Sequence, residues 1–265
     1  MAIDFPNIDP IALSIGPIDI RWYALSYLAG FLLGLYAVKK FISKYPSKYM
    51  TADLFDDLLT WVIVGVILGG RLGYVVFYNS EYYLDNPLDA LKIWQGGMAF
   101  HGGLIGVITA MILFAWRHQI PFFALSDRVA VVTPIGLFFG RMANFINGEL
   151  FGRASDAPWA MVFREGDFAR HPSQLYQAAT EGLILFTILV ILQRSQYIRE
   201  NFGILSGTFL SAYALMRFFV EYTREPDAHI GFLSLGLSMG QWLCIPMFIA
   251  GLIIMLYGRR LHATA

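Results

Sequence analysis

Arg141 and Asn144 stand three residues apart near the end of a long apolar run that begins at Phe122. Three-residue spacing puts two side chains on one face of a helix. That face carries a planar cation with five N–H donors beside an amide, a pair suited to holding a phosphate group. An arginine inside a bilayer costs about 2.5–3.5 kcal/mol on insertion scales, so its presence there points to a use. The alternative is an arginine that pairs with a carboxylate and holds helices together. Tyr213, Arg217 and Glu221 form a second stripe at four-residue spacing, and Arg224 extends it. Either Arg217 and Glu221 neutralise each other within the membrane, or Arg217 is a second phosphate clamp that Glu221 orients; both can hold at once.

His101 lies in Gly96-Gly97-Met98-Ala99-Phe100-His101-Gly102-Gly103-Leu104-Ile105-Gly106. Gly102 and Gly106 make a Gly-x-x-x-Gly pair that lets helices approach closely, which leaves the histidine unexplained. Histidine, with an ordinary pKa near 6.5, takes a proton near neutral pH. Arg71, in Gly69-Gly70-Arg71-Leu72-Gly73-Tyr74, is expected to pair with Glu149 or another carboxylate. His171 and Pro172 precede a helix start, and Tyr23 reads as an aromatic-belt residue. Gly236-Leu237-Ser238-Met239-Gly240 has the spacing of a serine nucleophile elbow. It opens an apolar helix rather than following a strand, so Ser238 is expected to be an N-cap. The five histidines lack metal-ligand spacing, and no phosphate loop or dinucleotide fingerprint occurs, so neither metal nor cofactor is expected.

The elements that position these residues follow from composition. The chain has 265 residues, 57% hydrophobic and only 14% charged, against about 25% charged in soluble domains. It reads as an all-α polytopic membrane protein and as one domain over 1–265. Net charge is zero and no basic run exists, which argues against nucleic acid. A single cysteine, Cys244, excludes an internal disulfide. The first twenty residues hold Pro6, Pro10 and Pro17 and no basic n-region, so the first apolar run is expected to stay as an anchor.

About seven spans satisfy the ~20-residue criterion. They are roughly Ile20–Phe41, Leu54–Phe77, Met98–Trp116, Phe122–Ile146, Leu175–Leu192, Ile204–Tyr222 and Leu237–Gly258. With the N-terminus outside, the inner segments hold Lys39, Lys40, Lys44, Lys48, Arg117, Arg128, Arg194, Arg199, Arg259 and Arg260. The outer segments hold Arg21, Lys92, Arg153, Arg164, Arg170 and Arg224. The basic excess inside predicts an outer N-terminus and an inner C-terminus. The long connection over 147–174 then falls outside as a head-like insertion. In this orientation Tyr23, Arg71, His101, Arg141, His171 with Gln174, and Arg217 reach one outer level from six different spans. The expectation is one polar cavity open toward the outer face. A lipid or peptide transporter would also suit such a cavity, but it predicts an internal repeat that the sequence lacks.

The run Gly140-Arg141-Met142-Ala143-Asn144-Phe145-Ile146-Asn147-Gly148-Glu149-Leu150-Phe151-Gly152 resembles the signature of the bacterial prolipoprotein diacylglyceryl transferases. The resemblance continues in Ser14-Ile15-Gly16-Pro17, Arg21-Trp22-Tyr23, Gly70 to Tyr74, His101-Gly102-Gly103, His171 to Tyr176 and Arg224-Glu225-Pro226-Asp227, nearly the whole chain. The outer segment between Gly152 and His171 is short beside that of some members. The resemblance implies functional positions at Tyr23, His101, Gly102, Arg141, Asn144, Glu149, Gly152, Tyr213, Arg217 and Glu221. It implies a bacterial inner-membrane enzyme, periplasmic N-terminus and cytoplasmic C-terminus, acting on the periplasmic side. Its substrates would be phosphatidylglycerol and the lipobox cysteine of a signal-anchored prolipoprotein. Its products would be a thioether-linked lipid and glycerol 1-phosphate, in the first step of lipoprotein maturation. Arg141 and Arg217 would meet the leaving phosphate and Asn144 the head group. His101 is the first candidate for the base, with Tyr23 and Glu149 as alternatives.

Overall fold

Among the described residues of the computed structural model, seven helices are long and apolar enough to cross a membrane. They are α1 (Trp22–Lys44), α2 (Ala52–Phe77), α3 (Phe100–Arg117), α4 (Phe122–Ile146), α5 (Ser173–Leu192), α6 (Ile204–Thr223) and α7 (Met239–Ala263). The structure describes residues 2–225 and 231–263, with no account of the side chains of Ile18 and residues 259–263. Pro226, Asp227 and His229 lie outside the described residues, as do the side chains of Arg259, Arg260 and His262. The chain is a multi-pass membrane protein. Many of its apolar side chains face outward: Leu28, Leu32, Leu68, Leu72, Ile105, Ile253 and Leu256 are each more than half exposed. Water would penalise that pattern, and hydrocarbon does not.

Two compact units divide the chain, Met1–Val38 with Asp127–Ala265, and Lys39–Ser126. The second unit is built on a glycine seam. Cβ atoms at Gly65 and Gly73 of α2 would fall 2.6 and 2.7 Å from Gly106 O and Gly102 Cα of α3. Only glycine allows backbones this close. Thr51 caps α2, accepting from the Leu54 amide at 3.2 Å.

The first unit holds the other helices. Gly207 of α6 sits against Gly251 of α7, and Ser211 Oγ donates to Phe248 O at 3.3 Å. Asp127 is buried at the start of α4 and caps α6 from a distance, accepting from the Gly203 and Ser206 amides at 2.9 and 2.8 Å. Among the described residues, four short strands complete the unit: β1 (Ile3–Asp4), β2 (Ile11–Ile15), β3 (Ile18–Arg21) and β4 (Met161–Val162). β2 and β3 pair antiparallel with Ser14 opposite Asp19, and β1 pairs parallel with β4. This corrects the expected start of the first span. Ile20 and Arg21 belong to β3, where cross-strand pairing holds them, and α1 begins at Trp22.

Candidate functional site

α5 is not a regular helix. Ala178–Ile184 forms a wide π-type turn between α-helical segments Ser173–Gln177 and Leu185–Leu192. Thr180 Oγ1 donates to Tyr176 O at 2.7 Å within that turn. Gly182 rests on α4, where a Cβ would come 2.7 Å from Phe138 Cβ. Phe138 lies three residues before Arg141, so this contact brings the neighbouring Glu181 to the arginine face of α4.

Glu181 is wholly buried, and two guanidinium groups flank it. Arg141 Nη2 lies 3.8 Å from Glu181 Oε2, and Arg217 Nη1 lies 3.7 Å from Glu181 Oε1. These are Coulombic contacts, longer than the 2.7–2.9 Å typical of a charge-assisted hydrogen bond. Neither Glu181 oxygen nor Arg217 Nη1 has a hydrogen-bond partner. Arg217 Nη2 pairs closely with Glu221 Oε2 at 2.9 Å, and Arg224 Nη1 reaches the same oxygen at 3.1 Å. The Arg217–Glu221 pairing expected of the 213–217–221 stripe is present. Arg217 is oriented by Glu221 and retains an unused donor.

α7 contributes the support for Glu221. Ser238 Oγ donates to Glu221 Oε1 at 3.1 Å and accepts from the Gln241 amide at 3.3 Å. Gln241 Oε1 accepts in return from the Ser238 amide at 3.0 Å. That reciprocal pair is a capping box, as expected of Ser238 at a helix start. Gly240 leaves room for the carboxylate, since a Cβ there would lie 2.9 Å from Glu221 Oε1. Tyr213 stacks on Phe209 at 6.0 Å, within electrostatic reach of Glu181, Arg217 and Arg141.

Beyond Arg141 the chain folds back on itself. Gly148 and Leu150 take positive φ, at +61° and +56°. Asn144 Nδ2 donates to Glu149 Oε1 at 2.8 Å, and Asn147 Nδ2 reaches the same oxygen at 3.4 Å. Gln174 Nε2 holds Glu149 O at 2.6 Å, and Ser173 Oγ holds Leu150 O at 3.0 Å. Tyr23 O–H contacts Tyr27 O–H at 3.2 Å and feels the charges of Glu149 and Arg141. Gly152 has a steric role. Its amide donates to His171 O at 2.8 Å, and a Cβ would overlap Thr223 O.

Residues 167–171, beside Gly152, are held by charge. Arg170 pairs with Asp167 at 3.0 Å and Glu225 at 3.0 Å. The Arg170 hydrogen bond holds the Asp167 carboxyl below the usual carboxylate range. Burial pushes the His171 imidazole below its ordinary value, and its Nδ1 lies 3.2 Å from Tyr176 O–H.

His101 and Gly102 belong to the second unit. His101 is exposed in the first turn of α3, edge-on to Phe100 at 5.5 Å. Gly102 is buried in the glycine seam, as its spacing from Gly106 predicts. Arg71 departs from expectation. Its donors go to backbone carbonyls, not to Glu149 or another carboxylate: Ala90 at 2.8 Å, Gly96 at 2.5 Å, Gly97 at 3.1 Å, Asp89 at 2.7 Å and Lys92 at 3.3 Å. The chain after α2 wraps the guanidinium and presents its carbonyl oxygens, so no counterion is required.

Glu181 is a site residue that the spacing of the arginine stripes does not point to. The signal was present as a lone carboxylate inside the apolar run Leu175–Leu192, the same kind of signal that singled out Arg141. Among the described residues, no three His, Cys, Asp or Glu side chains gather as a metal site requires.

The sequence model of the prolipoprotein diacylglyceryl transferase family matches residues 10–257. The phosphatidylglycerol–prolipoprotein diacylglyceryl transferase of Rhodospirillum centenum is 54% identical over 257 residues, 96% of this chain and 92% of that protein. The Rhodospirillum rubrum protein of the same name is 53% identical over 266 residues, 100% of this chain and 97% of its own length. That of Azospirillum brasilense is 52% identical over 268 residues, covering 100% and 99%.

Proposed function

This chain belongs to the prolipoprotein diacylglyceryl transferase family, and on that footing we propose how it moves a diacylglyceryl group from phosphatidylglycerol to a prolipoprotein. The observation that carries the reading is the pair of guanidinium groups, from α4 and α6, sharing one buried carboxylate with a donor left over. Residues 1–265 act as one integral-membrane transferase domain, with 147–174 as its outer head. The N-terminus and the site face the periplasm, and the C-terminus faces the cytoplasm of a bacterial inner membrane.

The acceptor is the thiol of a lipobox cysteine in a signal-anchored prolipoprotein. Its sulfur attacks the glycerol carbon that bears the phosphate. A C–S bond forms as the C–O bond breaks, and the electron pair leaves with the phosphate oxygen. The products are a thioether and glycerol 1-phosphate. The phosphodiester supplies its own leaving group, so the step draws on no cofactor. Negative charge grows on the phosphate in an apolar setting, where fixed cations stabilise it most. Arg141 and Arg217 are those cations. Glu221 orients Arg217, and Tyr213 lines the same stripe. Asn144, Glu149, Gly152 and Gly102 serve lipid binding.

The thiol, with an ordinary pKa near 8.5, must also lose its proton. His101 is the proposed base, with Tyr23 as a second catalytic group. If His101→Gln keeps most of the turnover, the base lies elsewhere.

The test uses purified protein in detergent, phosphatidylglycerol and a lipobox peptide with one cysteine. Mass spectrometry reads the diacylglyceryl adduct, and a parallel assay reads glycerol phosphate. Both signals are expected. Both are absent with a serine peptide and are lost in Arg141→Ala. Neither signal from folded parent protein overturns the reading and turns attention to lipid movement between leaflets.

A further inference from the structure

Glu181 is fully buried, yet its contacts do not resemble those of a structural ion pair. A carboxylate that locks an arginine in place takes two short parallel hydrogen bonds from it. Glu181 instead stands 3.8 Å from Arg141 and 3.7 Å from Arg217, and both of its oxygens lack a hydrogen bond. It attracts both cations and ties up neither. It reaches that point on a π-type turn, a feature frequent at functional sites. Gly182 seats the turn on Phe138 of α4, so the placement is built into the backbone.

The charges of the cluster support a specific role. Arg141, Arg217 and Arg224 bring three cations, and Glu181 and Glu221 bring two carboxylates. Among these ion-paired groups one positive charge remains. A phosphodiester carries one negative charge and neutralises it. A phosphomonoester carries about −1.5 to −2 and overfills it. The cluster thus matches the phosphate of an intact lipid donor and is mismatched to the phosphate that leaves.

We propose that Glu181 is a positioning residue for the reaction described above: the buried carboxylate that holds the Arg141 and Arg217 guanidinium groups in one frame and sets the charge of the phosphate site. The proposal rests on the transferase reading and deepens it. Without Glu181 the two cations repel and lose their common orientation. The site also gains a charge, which favours retention of the leaving phosphate.

The experiment measures kcat and KM for phosphatidylglycerol in the full-length protein, per folded molecule, for parent, Glu181→Gln and Glu181→Asp. Glu181→Gln keeps the shape and removes the charge. It is expected to lower kcat by about 10²-fold, the scale of losing one preset electrostatic contact. KM is expected to stay level or fall, and inhibition by added glycerol phosphate to strengthen about tenfold, as an added unit charge in a poorly screened site predicts. Glu181→Asp keeps the charge on a shorter stem and should keep the parent KM, with kcat between the other two. Kinetics within twofold of parent in Glu181→Gln overturn the proposal. So does Glu181→Asp at or below the Gln variant, since charge would then not matter. If the Gln variant does not fold, the Asp variant decides alone. A rise in its KM matching its fall in kcat makes Glu181 a packing residue and overturns the proposal. No adduct from the parent overturns the transferase reading itself, which separates the two failures.

Discussion

Arg71 and Arg217 are both arginines of apolar helices, and they use their donors in opposite ways. Arg71 is 5% exposed and gives its N–H groups to five backbone carbonyls of the chain that follows α2. Nothing is left to bind. Arg217 has one short pair, with Glu221, and one donor without a partner facing a carboxylate 3.7 Å away. A saturated guanidinium is a rivet, and an unsaturated one still has a donor to give. Insertion cost alone does not separate the two, since both residues carry it. What separates them is whether acceptors close to hydrogen-bond length.

The largest effect expected from this contrast is at the unsaturated pair. Arg141→Lys keeps the charge but loses the planar fork, and should lose about 10²–10³ in kcat with thermal stability unchanged. Near-parent turnover in that variant would erase the difference between the two arginine types. Arg71→Gln should do the reverse. It leaves five part-buried carbonyls without their donor at a cost of about 1–3 kcal/mol, seen as a lower melting temperature in detergent. Turnover per folded molecule should be retained. A loss of kcat in stable Arg71→Gln would give Arg71 a part in the chemistry.

The smallest effect concerns a group that the fold keeps neutral. Burial lowers the His171 pKa, so below about pH 6.5 the unfolded chain binds a proton that the folded chain resists. The stability this contributes is complete above that pH and declines as the pH falls toward 5. Asp167, held low by Arg170, contributes above its ordinary carboxylate value and is lost only below about pH 4, outside that window. A melting temperature flat from pH 7 to 8 and falling slightly below 6.5 is expected. His171→Gln should flatten the slope, and an unchanged slope would assign it to another group.

Much of the fold was legible because span length and hydropathy suffice to find helices in hydrocarbon. The boundary at α1 was not. Ile20 and Arg21 read as the start of an apolar run, and only pairing with Ile11–Ile15 makes them a strand. The stripe Tyr213–Arg217–Glu221 was readable because α-helical spacing holds there. Glu181 sits where spacing fails. Its π-type turn carries no local signature, and its partners lie 40 residues before and 36 after it in sequence. Arg71 was misread for a related reason. Backbone carbonyls are acceptors at every position, so no residue type announces them.

The acceptors of Arg71 are all encoded 18 to 26 residues after it. During synthesis α2 therefore leaves the ribosome bearing a guanidinium whose partners are still inside the exit tunnel. Until Gly97 has emerged, that group needs water or lipid phosphate, and α2 cannot settle at its final depth. Biogenesis of this half of the protein is thereby ordered in time. Membrane insertion of the second helix is completed by the loop after it, and a nascent chain stalled before Gly97 would expose Arg71 to whatever watches over unfinished membrane proteins.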